Sequence, residues 1–163
     1  MESTFKTRRI VCLTFCISML SILFYACSGV SNNHRRQVRQ EVETFAQAYF
    51  NFNFSVALDH CSKESGRWIR FAASNITAED IAQLQQQQQE ATVEIGNYEL
   101  KDSTGNVLVT VRHFMQFDSI GGKGHMVDEA TFRIPVCREN GKWTVRMEGP
   151  LRSETSGRDS DGD

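Results

Sequence analysis

At 163 residues, with 40% hydrophobic and 23% charged side chains, the chain has room for one domain and a short accessory segment. That composition is close to the globular average and excludes a disordered or fibrous chain. A formal net charge of -2 is not the basic excess of a dedicated nucleic-acid binder, and two prolines and eleven glycines are too few for a dominant linker.

In chain order, Lys6, Arg8 and Arg9 precede an uncharged run from Ile10 to Ala26, 17 residues long. That is the short edge of a membrane span and a little long for the apolar part of a signal peptide. Cys27 follows at once, in Leu23-Phe24-Tyr25-Ala26-Cys27-Ser28. The string resembles a bacterial lipoprotein signal: apolar residues, a small residue beside the scissile bond, then the cysteine that accepts lipid. Residues 1–26 therefore read as a signal peptide, with an uncleaved single-pass anchor as the alternative. His34, Arg35, Arg36 and Arg39 follow the run, so flanking charge does not fix orientation. On either reading the remainder is expected in the cell envelope, facing the periplasm or exterior. On the first reading it is tied to the membrane by lipid on Cys27.

Two of the five cysteines, Cys12 and Cys16, lie inside the apolar run, which leaves Cys61 and Cys137 for the folded part. They form no CxxC or Cys/His cluster, so no metal or other cofactor is expected.

Residues 27–34 read as a polar tether and 35–148 as the folded domain. Val38, Val42, Phe45, Ala46, Tyr49 and Phe50 recur at spacings of three and four, the apolar stripe of an amphipathic helix. Asn51 and Asn53 interrupt it. A second helix holds Val56, Ala57, Leu58 and Cys61. Gly66 ends that one, and Trp68, Ile69, Phe71 and Ala72 begin a third apolar segment. Thr77 caps a fourth helix, with Asp80 three residues on.

After Glu90 the period becomes two. Val93 and Ile95 give way to Tyr98 and Leu100 across Gly96-Asn97, which predicts a β-bulge. Val107, Val109, Val111, His113, Met115 and Phe117 are expected on one face of a second strand. Met126, Asp128, Ala130, Phe132, Ile134 and Val136 are expected on one face of a third. Asn140-Gly141 predicts a two-residue hairpin that sets Val136 opposite Val145 and Cys137 opposite Thr144. Residues 149–163 have almost no apolar content and read as a disordered tail. Helices followed by a four-stranded antiparallel meander make an α+β fold, with the helices on one face of the sheet.

This order resembles the nuclear transport factor 2-like superfamily, the SnoaL or ketosteroid-isomerase fold, and more narrowly its small bacterial lipoproteins. The likeness is carried by QEVETFAQAYFNFNFSVALDHCS, a long helix ending in aromatics before a second helix, and by the hairpin FRIPVCRENGKWTVRME. It covers roughly Arg35 to Glu148 and implies a curved sheet wrapped on helices into a cone with a mouth. It does not imply one activity, because that cone serves enzymes, transport adaptors and binding modules alike.

His113 and Asp128 are polar residues on otherwise apolar strand faces. Across a hairpin they could act as general base and orienter, or form a structural hydrogen bond. Among the aromatics, Tyr49, Trp68 and Phe117 are candidates to line an apolar ligand pocket. Asp59-His60 and Gln85 to Gln89 read as solvated helix surface. Gly121-Gly122-Lys123-Gly124 lacks the spacing and following helix of a phosphate loop. The expectation is a lipid-anchored, non-catalytic envelope domain that binds a small apolar ligand or a protein partner, with a homodimer left open. An isomerase- or dehydratase-like enzyme and a single-pass assembly component of type IV secretion kind are the alternatives.

Overall fold

The computed structural model describes residues 32–87, 89–117 and 122–154. The chain divides into two compact units, Met1–Gln37 and Val38–Asp163. In the first, residues 32–37 are helical; the apolar run and Cys27 lie outside the described residues. Among the described residues no helix is long and apolar enough to cross a membrane. Among the described residues, the second unit holds the sheet and most of the helical positions.

Helix α1 (32–50) is followed by α2 (Phe54–Asp59), a 3-10 turn (Lys63–Ser65), α3 (Gly66–Ser74) and α4 (Ala78–Gln85). Four strands come next: β1 (Thr92–Leu100), β2 (Thr104–Gln116), β3 (His125–Glu139) and β4 (Lys142–Val145). They form one antiparallel sheet in the order β1-β2-β3-β4. The α+β reading holds, helices first and a meander after.

The stripe of α1 buries Val38, Val42, Phe45, Ala46 and Phe50 against Val107, Val109 and Val111 of β2 and Phe132, Ile134 and Val136 of β3. The helix stops through its backbone. The Phe52 N–H donates to Tyr49 O at 3.2 Å and the Asn53 N–H to Ala48 O at 2.8 Å. That bond pair closes a helix when the residue past its end is left-handed, usually a glycine. Here the left-handed residue is Phe52, at φ 61°. Asn53 then caps α2 by accepting from the Val56 N–H.

Asn51 does more than break the stripe. Its Oδ1 accepts from the Ala91 N–H at 2.9 Å and its Nδ2 donates to Ala91 O at 3.0 Å. This side-chain amide substitutes for a strand neighbour and pins the entry to β1 onto the end of α1. The bulge expected at Gly96-Asn97 is present: the β1–β2 register shifts between Ile95 and Tyr98, which bends the strand. At the other end of the meander, Asn140 (φ 52°) and Gly141 (φ 83°) are both left-handed, as a type I′ turn requires. The expected pairs Val136↔Val145 and Cys137↔Thr144 follow.

One helical expectation fails. Cys61 lies past α2 and makes a parallel bridge to Val145, because the backbone there finds better partners on β4 than in another helical turn. The Val145 N–H donates to His60 O at 3.0 Å and the Ser62 N–H to Val145 O at 2.8 Å. Ser62 and Ser65, both buried, are satisfied in the same joint: their hydroxyls meet at 2.8 Å, and Ser65 Oγ accepts from the Met147 N–H at 2.7 Å. The Cys61 and Cys137 thiols are free. On the outer face of the sheet, Arg112 links Glu94 and Glu129, and Arg133 links Glu99 and Glu154.

The segment read as a tail does not leave the domain at Gly149. Ser153 bridges Phe132 of β3, Glu154 holds Arg133 at 2.8 Å, and Leu151 packs against the core. One apolar side chain and backbone pairing are enough to dock a stretch whose composition is otherwise polar.

Candidate functional site

A cavity of about 780 Å³ opens between the end of α1, the start of α2, α3, the distal parts of β2 and β3, and residues 150–153. Its volume falls within the roughly 300–1,000 Å³ of small-molecule sites. Among the described residues, nine of its lining side chains are aromatic. Phe50, Phe114 and Phe132 form a mutually packed trio, with ring centroids 5.3, 4.7 and 5.4 Å apart. Phe52 meets Phe54 edge-on at 5.9 Å and Phe117 at 6.5 Å.

Tyr49, Trp68 and Phe117, the three expected ligand-lining residues, all border this cavity. Tyr49 stacks on Phe45 at 5.6 Å and meets Phe50 and Phe54 edge-on. Burial pushes its phenol up to about 12, so it is an un-ionised hydroxyl at any neutral pH. Trp68 is edge-on to Phe71 at 6.4 Å, with the Arg67 guanidinium 4.9 Å over its ring. Its indole N–H is buried without a hydrogen-bond partner among the described residues. Asn75 Nδ2, also at the lining, donates to Phe71 O at 2.9 Å.

His113 and Asp128 are not in the cavity. The pairs Arg112↔Glu129 and Phe114↔Val127 bracket them across the hairpin, so they do lie opposite each other. Both are exposed, however. The cause is His113 itself, whose backbone is left-handed at φ 56°. That rotation changes the phase of β2: Val107, Val109 and Val111 face the core before it, and Phe114 faces the core after it. β3 changes with it, leaving Asp128 exposed and Met126 39% exposed, while Val127 packs on the core. The two polar residues mark a flip of the sheet faces, not a polar spot inside the cone. The His113 carbonyl accepts from Gln87 Nε2 at 2.6 Å.

The remaining polar candidates have structural partners. His60 Nδ1 lies 2.7 Å from Glu41 Oε2, and the same carboxylate faces Lys142. In the glycine-rich turn, the Gly124 N–H donates to Asp80 Oδ1 at 3.0 Å; Gly121 lies outside the described residues. Asp80 is fully buried and completes a capping box with Thr77. Hydrogen bonds from Thr77, then from Gly124 with Lys123 nearby, outweigh burial and hold its carboxyl below the usual range.

The contribution of residues 150–153 is not evident from the sequence. Leu151 is the available signal, a lone apolar residue soon after Met147 in an otherwise polar stretch. Among the described residues, the lining holds no carboxylate, imidazole or thiol; its charged group is Arg152. The arrangement offers a large apolar surface, an un-ionised phenol, an amide and one guanidinium. That surface can receive an apolar molecule.

No family model and no curated protein matches the chain. Among solved structures, the chain is similar to a Campylobacter jejuni protein named as an NTF2-like transpeptidase. The two are 12% identical, the match covers 66% of this chain and 94% of that one, and the TM-score is 0.41.

Proposed function

We propose that residues 38–154 form a binding module for a small hydrophobic molecule, held at the membrane by lipid on Cys27. The observation that carries the binding role is the aromatic cavity: about 780 Å³ of space bordered by rings from α1, α2, α3, β2 and β3. Rings this size, left beside open space, make a favourable destination for apolar surface, at roughly 25 cal/mol per Å² removed from water. The anchor rests on Ala26-Cys27 at the end of the apolar run.

Trp68 gives a direct test, because a brominated ligand quenches indole emission at contact. In the full-length protein in lipid nanodiscs, 10-bromodecan-1-ol should quench saturably. Trp68→Phe should remove that component while leaving the emission of Trp143, which lies in the core. Ala72→Phe, which fills part of the cavity, should weaken the effect. Quenching that is non-saturable and equal in all three proteins would refute the binding role. For the anchor, Cys27→Ser should abolish palmitate labelling and leave a larger precursor; unchanged labelling and mobility would refute it.

A further inference from the structure

The cavity is apolar over most of its wall, yet a charge stands at its border. Arg152 lines it, and among the described residues no carboxylate does. A guanidinium beside an apolar site is normally neutralised by a neighbouring acid. The adjacent acid here is Glu154, and it is committed elsewhere: its two oxygens hold Arg133 Nε at 2.8 Å and Nη2 at 3.4 Å. Among the described residues Arg152 has no ion pair of its own. Its backbone is nonetheless fixed, because Leu151 packs on the core before it and Ser153 bridges Phe132 after it. Arg152 is exposed at the rim of the cavity, and the docked backbone on either side of it keeps its side chain beside the aromatic wall rather than on a free tail.

From this placement we infer that the module takes an amphipathic monoanion, an apolar chain or ring system bearing one carboxylate. The apolar body occupies the space beside Phe50, Phe114 and Phe132, and Arg152 receives the head group. The inference rests on the binding role proposed above and narrows it to a ligand class. A carboxylate fits the fork of one guanidinium, which can donate two parallel hydrogen bonds to it. A single cation balances a single negative charge, so a monoanion matches this border better than a dianionic phosphate. Neutral hydrocarbons of the same size lose nothing in the cavity but gain nothing from Arg152. The selectivity therefore lies in the head group, not in the wall.

The test compares 10-bromodecanoate with 10-bromodecan-1-ol, which share a chain and differ in head-group charge. Both are titrated against the full-length protein in nanodiscs of neutral lipid, with Trp68 quenching as readout. The wild-type protein should bind the carboxylate about tenfold more tightly than the alcohol, the ratio one charge-assisted contact supports. Arg152→Gln should remove that preference by weakening carboxylate binding to the level of the alcohol. Arg152→Lys should keep part of the preference, since it retains charge but loses the fork. Raising salt should weaken the carboxylate and not the alcohol. If both probes bind equally to wild type, or the preference survives in Arg152→Gln, the inference is overturned while the cavity's binding role stands. If neither probe quenches Trp68 saturably, the binding role fails and the inference fails with it.

Discussion

Phe50 and Phe52 border the same cavity, yet their replacement should have different consequences for stability. Phe52 is held left-handed at φ 61° and is half-buried. Left-handed backbone costs a side-chain-bearing residue roughly 1–2 kcal/mol. Phe52→Gly relieves that strain but adds unfolded-chain freedom of roughly 0.5–1 kcal/mol. It also forfeits the burial of half a ring, about 1 kcal/mol if full burial is worth about 2–3. These terms nearly cancel, so Phe52→Gly should lie within about 1 kcal/mol of wild type. Phe50 belongs to α1, is 7% exposed, and packs on Phe132 and Phe114. Phe50→Ala leaves a hole in that trio and should cost roughly 3–5 kcal/mol. Urea unfolding, read as a shift in midpoint at constant slope, measures both. Bromodecanol affinity should fall for Phe52→Gly all the same, separating a ring kept for binding from one kept for packing. A loss of about 3 kcal/mol or more for Phe52→Gly would refute the strain argument and make Phe52 an ordinary core residue.

Trp143 is 2% exposed within β4, so Trp143→Ala should cost roughly 3–5 kcal/mol; a loss below about 1 kcal/mol in the same urea assay would mean the β3–β4 register is wrong. At Gly105, an added Cβ would sit 2.6 Å from the Glu99 carbonyl oxygen. Backbone cannot swing aside as a side chain can, so Gly105→Ala should lower stability by roughly 1–3 kcal/mol. Full stability in that variant would show that the β1–β2 turn has more room than this distance allows. Asp80 sets an acid limit. Its carboxyl is held below the usual range, and an unfolded Asp titrates near about 3.9. Its stabilisation is therefore complete above roughly pH 4 and is lost as pH falls through the lower folded value. Asp80→Asn should flatten the stability curve below about pH 4; an unchanged acid limb would assign that limb to other groups.

Much of the fold is legible in the sequence because local rules suffice. The α1 stripe, the bulge at Gly96-Asn97 and the turn at Asn140-Gly141 each depend on a few adjacent residues, and the turn alone sets the β3–β4 register. His113 defeats an assignment of strand faces by parity. Two consecutive apolar residues, Phe114 and Met115, already break that parity, but a left-handed histidine in mid-strand has no composition signature. Cys61 and residues 150–153 escape sequence reading for a related reason. Their places are decided by backbone pairing with β4 and β3, which apolar periodicity does not report. Aromatic density points to the right half of the molecule for a cavity. Whether rings fill such a space or border it is settled by how α1, α3 and the sheet diverge, and no spacing in the chain encodes that.

The bulge in β1 has a bearing on how copies of this chain meet. β2 and β3 each have two strand neighbours, whereas β1 pairs on one side, with β2. A straight nine-residue edge would offer a template on which a second chain could add itself strand to strand. The shift between Ile95 and Tyr98 breaks that template near its middle, and Glu94 and Glu99 on either side of the break are tied inward to Arg112 and Arg133. An edge that resists self-pairing keeps chance encounters between copies from turning into aggregation. Deleting Asn97 would straighten β1, and the cost should appear as turbidity on concentration before it appears as lost stability.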